Sequence, residues 1–395
     1  MASLRFLTAG ESHGQALVGI LEGIPSGLEI TAEQIHIQLK RRKLGYGRGA
    51  RQKMEDDSVD MLGGIRHGKT LGSPIALVIH NRDWRNWVDI MQPEPLSAES
   101  GEVKRRLEVP RPGHADYIGG IKYGHEDMRN VLERASARET TIRVALASVA
   151  RRFLEELGIV VVSRVTAIGS IEDAEPLKAE LAHLNEQVDQ SPLRCVNPDV
   201  ESRMITEVDV AKKNGNTLGG IFEVYAQGVP LALGSYVQWD RRLEGKIAEA
   251  FMSLNAIKGV EIGLGFELGR TPGTEAHDEF FPSEVAHRVA YHTNRSGGLD
   301  GGMTTGQPII VRAAMKPLAT LMKALRSVRL DTGEAESAHV ERSDVCAVPA
   351  AAVIGESLLC LVIAEAILEK FGGDSMQEIK ARVNAWRDVS EKGLL

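Results

Sequence analysis

The sequence predicts one large domain of mixed α and β structure, and three observations carry that prediction. Two alanine-rich stretches, residues 142–157 and 347–371, place apolar side chains at helical spacing on several sides, the pattern of helices enclosed by neighbours. Short β-branched segments bounded by glycine recur along the chain, and 40 glycines against 5% aromatic residues favour tight turns and close backbone approaches. No low-complexity linker divides the 395 residues, a length that can bury one large core.

Taken in order, residues 4–8 read as a strand followed by the turn 9–14. Residues 16–24 contain Gly19 and Gly23 and end at Pro25, so they read as a second strand. Thr31 and Gln34 have the spacing of a capping box and open a helix to about Lys43. A G-x-T-x-G unit occurs at 68–72, 215–219 and 302–306, each time running into a strand-like segment. The first and third follow a Gly-Gly pair, 63–64 and 297–298, so one turn-and-strand unit is expected three times in a single fold. The first long helix stops at Gly158. Its head carries Ser136, Arg138, Thr140 and Thr141 at the end where free backbone amides attract anions. Long loops are expected at 91–116, 271–283 and 326–343, and 171–202 reads as an acidic peripheral excursion, helix-prone near 177–188. The helix 347–371 is closed by Gly372 and Gly373.

Gly10-Glu-Ser-His-Gly14 matches the G-x-S-x-G nucleophile elbow letter for letter. An elbow needs strand, serine and then helix, whereas the segment after Gly14 reads as strand. Ser12 and His13 are also adjacent, which does not aim one side chain at the other. What remains is a loop histidine, His13, flanked by glycines that let a ligand approach the backbone. Residues 40–53 hold seven basic residues and no acidic one. They suit a solvated cationic face, a nucleic-acid contact, or an arginine pocket (Arg42, Arg48, Arg51) for a multiply anionic small molecule. Gly45, Gly47 and Gly49 favour the pocket, because a solvated face has no need of them. His114 sits in a second loop fixed by Pro and Gly, and Asp344 lies just before the helix 347–371, where an aspartate also suits a cap. Histidines and an aspartate beside clustered arginines are the parts for proton transfer on an anionic substrate. The residues alone point to an enzyme acting on a phosphorylated or polycarboxylate molecule.

A net charge of −7 and a pI near 5.9 argue against a general nucleic-acid or membrane-surface binder. Cys195, Cys346 and Cys360 form no C-x-x-C pair, so neither a disulfide framework nor a metal site is expected. With no signal peptide and no apolar run long enough to span a bilayer, the expected location is the cytoplasm.

Three longer runs resemble the signatures of the chorismate synthase family. They are Gly10-Glu-Ser-His-Gly-Gln-Ala-Leu-Val-Gly-Ile-Leu-Glu-Gly-Ile-Pro25, Glu133-Arg-Ala-Ser-Ala-Arg-Glu-Thr140 and Arg342-Ser-Asp-Val-Cys-Ala-Val-Pro349. Between them, Gly45-Tyr-Gly-Arg-Gly49, Gly68-Lys-Thr-Leu-Gly-Ser-Pro-Ile75, Arg111-Pro-Gly-His-Ala-Asp116 and Lys316-Pro-Leu-Ala-Thr320 are also family-like, so the similarity runs nearly from Met1 to Arg387.

The resemblance implies an α+β fold, a β-α-β sandwich with helices buried between antiparallel sheets, over residues 1–395 as a single domain. It implies conversion of 5-enolpyruvylshikimate 3-phosphate to chorismate and phosphate by anti-1,4 elimination, with reduced FMN required but not consumed, in a homotetramer. Carried over by position, Arg42, Arg48, Arg138 and Arg342 would hold the substrate's phosphate and carboxylates. His13 would protonate the departing phosphate, His114 would stabilise the anionic reduced flavin, and Asp344 would tune the proton at its N5. The FMN-binding positions would be Ser136, Ala137, Arg138, Asn255, Ala256, Gly301, Lys316, Pro317, Leu318, Ala319, Thr320 and Arg342. Arg42 and Arg48 also match positions that take NADPH in members that reduce their own flavin.

Overall fold

Strand β2 (Ala16–Glu22) buries Leu17, Gly19 and Leu21 on one side and exposes Val18 and Ile20 on the other, the alternation of a strand with one covered face. In the computed structural model, which describes residues 4–49, 57–95, 104–177, 179–285, 288–340 and 344–391, it pairs antiparallel with β1 (Arg5–Ala9) and β4 (Ile75–His80). Strand β3 (Asp60–Gly63) joins the far side of β4, giving the order β1-β2-β4-β3. Helix α1 (Ala32–Lys43) lies between β2 and β3 in sequence and opens on the expected box: Thr31 accepts from the Gln34 amide while Gln34 reaches back to the Thr31 amide.

The second sheet repeats this plan. Strands β5 (Val160–Ile168), β7 (Gly220–Gln227), β9 (Ile309–Met315) and β8 (Ile257–Ile262) are neighbours in that order, all antiparallel, with the short β6 (Ile171–Glu172) beyond β5. Each sheet therefore runs first, second, fourth, third, counting its four main strands in chain order. Helix α6 (Leu243–Met252) occupies the place of α1. Helices α4 (Thr140–Glu155) and α7 (Val348–Phe371) each follow the last strand of a sheet. The glycine units explain part of this symmetry. Thr70 Oγ1 donates to Pro25 O at 2.6 Å and accepts from the Leu28 amide at 2.9 Å; Thr304 Oγ1 donates to Pro230 O at 2.6 Å and accepts from the Leu233 amide at 2.8 Å. The first and third units are thus equivalent. The second is not, because Thr217 Oγ1 instead donates to Leu318 O at 2.8 Å.

Helices α4 and α7 pack side by side between the sheets, α4 against β2 and β4, α7 against β5 and β7. Close approach is built in on both sides: a Cβ on Gly19 would sit 2.7 Å from Ile142, and one on Gly355 would sit 2.8 Å from Phe222. One continuous apolar core spans both sheets and both helices. This is the expected α+β sandwich.

Several sequence expectations need correction. Helix α7 is long and apolar enough to cross a membrane, contrary to the expectation that no such run exists, but 94% of its apolar window is buried among its neighbours, as befits a core helix. Ser136 and Arg138 are not the head of the first long helix itself: α3 (Arg129–Ala135) stops at Ser136, whose hydroxyl caps a 3-10 turn, Ala137–Glu139, before α4 begins. The expected loop 326–343 contains a hairpin, Arg326–Val328 with Ala335–Ser337. Residues 171–202 are not merely peripheral, since Leu184 and Val188 are fully buried against Val162 and Tyr225 and cover the outer face of the second sheet. Helices α2 (Asp116–Tyr123), α5 (Pro198–Lys213) and α8 (Met376–Glu391) were not anticipated.

Candidate active site

Helices α4 and α7 start at the same end of the sandwich, α4 through the 3-10 turn Ala137–Glu139, whose Arg138 amide is held by Ser136 Oγ. The last turn of α1 delivers Arg42 there. It is buried, donating through Nε and Nη2 to Thr140 Oγ1 at 3.0 and 2.8 Å and through Nη2 to Ala137 O at 2.9 Å. Arg42 meets no carboxylate within salt-bridge distance among the described residues, and its Nη1 has no hydrogen-bond partner. Burial, reinforced by the nearby positive charge of Arg48 and Arg138, pushes Arg42 down to about 9. The glycine loop after α1 turns Arg48 toward the mouth of α7, where Nη1 pairs with Asp344 Oδ2 at 3.0 Å. Gly49 N donates to Asp344 Oδ1 at 2.6 Å, and Val345 N to Gly47 O at 2.8 Å, which ties the loop to the approach to α7. Nε of Arg48 is buried without a partner among the described residues. Arg138 donates through Nη1 to Asp57 Oδ1 at 2.5 Å and through Nε to Asn81 Oδ1 at 3.1 Å.

Asn81 links that arginine to His13, since its Nδ2 donates to Gly14 O at 2.7 Å and Glu11 O at 3.2 Å. His13 lies in the β1–β2 turn, its Nδ1 2.8 Å from Glu133 Oε2 and its ring stacked on Trp87 at 3.8 Å between centroids. Ser136 Oγ donates to Ser12 Oγ at 3.2 Å. Arg42, Arg138, His13 and Ser136 thus gather around the entry to α4.

A second wall carries His114. Asp116 is fully buried and takes His114 Nδ1 at 2.5 Å and Arg111 Nε at 2.8 Å. Burial alone would raise its carboxyl, but the hydrogen bonds from His114 and Arg111 outweigh that and hold it far below the usual carboxylate range. Arg111 Nη1 also donates to Thr320 Oγ1 at 3.0 Å, and Lys316 Nζ to Gly113 O at 2.5 Å, so the loops 111–116 and 316–320 face each other. Lys316 N donates to Ala256 O at 2.9 Å, and Asn255 Nδ2 to Ala135 O at 2.9 Å, which joins this wall to Ser136 and Ala137. Pro317, Leu318 and Ala319 complete the turn between Lys316 and Thr320. Gly301 is the exception. The amide of its neighbour Leu243 reaches Gly302 O at the start of α6, whereas Asn255 follows the far end of that ten-residue helix, roughly 15 Å away at 1.5 Å per residue.

Arg51 and Arg342 lie outside the described residues. Sequence reasoning did not single out Asp57, Asn81, Trp87, Arg111, Asp116 or Glu133. Asp116 stood two residues from His114 and could have been found as a histidine orienter. Glu133 could not, because it reaches His13 across 120 residues.

Comparison with known proteins bears on this arrangement. The profile of the chorismate synthase family matches residues 4–368. A chorismate synthase of Geobacillus thermodenitrificans (strain NG80-2) is 53% identical over 384 residues, covering 97% of this chain and 98% of that protein. One from Geobacillus kaustophilus (strain HTA426) is 53% identical over 389 residues, covering 98% and 100%. A crystal structure of chorismate synthase superposes with a TM-score of 0.77 at 43% identity, covering 98% of each chain.

Proposed function

The chain belongs to the chorismate synthase family, and from that premise we propose that the pocket around Arg42 binds 5-enolpyruvylshikimate 3-phosphate while His13 protonates the departing phosphate. The family comprises carbon–oxygen lyases of the shikimate pathway, which form chorismate and phosphate by anti-1,4 elimination. Arg42 is the observation that carries the reading. A buried guanidinium with no carboxylate of its own among the described residues, beside two more arginines, is a seat for an anion supplied from outside. The substrate brings a phosphate and two carboxylates, and we assign them to Arg42, Arg48, Arg138 and Arg342.

The facing loops suit reduced FMN chemically. Ser136, Asn255, Lys316 and Thr320 offer hydroxyl, amide and ammonium groups, and Gly113 lets the two loops close on each other, since a Cβ there would lie 3.3 Å from Lys316 Nζ and 3.6 Å from Ala319. Reduced FMN, when bound, supplies transient electron density to the substrate ring and a basic nitrogen for its C6 proton. His114, its ring fixed by Asp116, stabilises negative charge on that cofactor. Asp344, held by Arg48 and Gly49, tunes the proton at the cofactor's N5. Arg42 and Arg48 are also the residues we assign to NADPH as a flavin reductant. As the C3–O bond breaks, its electron pair goes to the phosphate oxygen. His13 gives that oxygen a proton, and the arginines hold the developing charge in place.

We also propose a cytoplasmic homotetramer. The outer face of the first sheet, with Leu7, Val18 and Ile20 exposed, offers a self-association surface that the second sheet lacks. The test of the reading is spectral titration with reduced FMN and then substrate. The expected result is a bound-flavin spectrum that shifts when substrate is added, and a changed spectrum of bound reduced FMN in His114→Ala. Flavin binding with no response to substrate would favour an ordinary reductase instead.

A further inference from the structure

We propose that Glu133 is the positioning residue for His13, holding the imidazole by Nδ1 so that Nε2 is the atom that delivers the proton. The inference rests on the role assigned to His13 above and extends it to a residue on another element.

Glu133 sits in the last turn of α3, with its side chain fully buried. Oε2 accepts from the His13 amide at 2.9 Å and lies 2.8 Å from His13 Nδ1. Oε1 accepts from Arg129 Nη1 at 3.1 Å, and the Glu133 carbonyl accepts from the Ser12 amide at 3.0 Å. One glutamate therefore fixes both the backbone and the ring of the β1–β2 turn. The face of the ring is fixed separately. Trp87 stacks on it with planes 22° apart, and Arg105 and Arg129 lie over Trp87 at 4.3 and 5.4 Å from its centroid. Held by edge and face, the imidazole keeps one nitrogen uncommitted: Nε2 makes no hydrogen bond among the described residues.

A carboxylate at Nδ1 dictates the tautomer, because an ionised glutamate only accepts. Neutral His13 then carries its hydrogen on Nδ1, and the transferable proton of the imidazolium is on Nε2. In the elimination that proton passes to the phosphate oxygen taking the C3–O electron pair, while the Nδ1 hydrogen stays with Glu133. The cations around this turn, Arg129, Arg105 and Arg134, all oppose a charged imidazole. Glu139 is occupied by Thr8 and Arg143, and Glu133 is the carboxylate in contact with the ring. Burial would raise the Glu133 carboxyl, but the hydrogen bond from His13, with Arg129 adding to it, keeps it below its ordinary value and so ionised.

The experiment compares Glu133→Gln and His13→Ala with the parent in anaerobic phosphate release, with KM and a pH profile. Gln keeps the shape but offers one acceptor oxygen to three donors and no charge. The expected result is a kcat at least tenfold lower in Glu133→Gln, bounded by the roughly 10²–10⁴-fold loss expected for His13→Ala, with KM unchanged. The alkaline limb of its kcat profile moves to lower pH, since the imidazolium has lost its counter-charge. A slow His13→Ala beside a Glu133→Gln with the parent's kcat and profile would overturn the present inference alone. An undiminished His13→Ala would instead overturn the role of His13. Nitrogen-15 NMR of histidine-labelled parent protein, with His13 assigned by its missing signal in His13→Ala, needs no folded Glu133 variant. It should show the Nδ1–H tautomer, and the Nε2–H tautomer would overturn the proposal.

Discussion

Arg41 and Arg42 are consecutive on α1 and meet opposite surroundings. Arg41 turns toward α7, where Glu356 is completely buried and takes Arg41 Nη1 at 2.8 Å, Arg151 Nη2 at 2.6 Å and Arg194 Nη2 at 3.0 Å. Ser163 Oγ, at 2.6 Å, and Asn185 Nδ2, at 3.3 Å, fill the remaining lone pairs, and Asp189 adds a second carboxylate to Arg41 and Arg194. Arg42, one residue on, has a hydroxyl and a carbonyl and, among the described residues, no carboxylate. Among the described residues both clusters hold three arginines and two carboxylates within reach, so charge count does not separate them. What separates them is whether the carboxylate reaches every arginine. In the Glu356 cluster it does, and among the described residues the arginine donor left without a partner is one side nitrogen, Arg194 Nε. In the Arg42 cluster neither carboxylate among the described residues reaches the innermost guanidinium, the one proposed to take the substrate. A saturated cluster stabilises; an unsaturated one binds.

Glu356→Gln should produce the largest change. Removing one member of a buried ionic cluster typically costs about 3–5 kcal/mol, because the partners stay buried without compensation. Urea unfolding followed by circular dichroism should show a loss of that size, while the protein that remains folded keeps the parent's substrate KM. A raised KM would show that the two clusters act as one.

Arg48→Ala reverses the pattern. It should weaken substrate binding by about 1.5–3 kcal/mol, roughly one to two decades in affinity, by removing a charge-assisted contact. The unfolding midpoint should move much less than in Glu356→Gln. Arg48→Lys should recover part of the affinity if the contact is bidentate, and full recovery would show that charge alone matters there.

The smallest effect is a pH dependence of stability. Burial would raise the Glu356 carboxyl, but the charges of Arg41, Arg151 and Arg194 outweigh it and hold the group far below the usual range. A depressed carboxyl contributes stability that is present above its unfolded value, near 4.3, and is lost as pH falls below it. The difference in unfolding free energy between parent and Glu356→Gln should therefore shrink as pH drops from about 5 to 3. A constant difference would mean that Glu356 acts by packing rather than by charge.

The same contrast marks how far the sequence could be read. Helix α1 was legible to the residue because Thr31 and Gln34 cap it locally. The glycine loop, the buried helices and the histidine turn were legible for the same reason, since each depends on near neighbours in the chain. The split between Arg41 and Arg42 was not, because the carboxylate that decides it lies 315 residues away inside an apolar helix. Glu133 escaped notice on the same grounds. The segment 171–202 read as peripheral because its acidic surface outweighs the few inward-facing side chains, the partly buried Asn185 and Asp189 among them, that complete the Glu356 cluster.

The central claim is that this pocket carries out a redox-neutral elimination with a cofactor that is not consumed. Anaerobic phosphate release, measured beside flavin absorbance with 5-enolpyruvylshikimate 3-phosphate, tests it most directly. With FMN chemically reduced beforehand, the account predicts equal amounts of phosphate and chorismate, many turnovers per flavin and no net flavin oxidation, and with oxidised FMN it predicts no product. One flavin oxidised per chorismate formed, or equal rates with oxidised FMN, would contradict it.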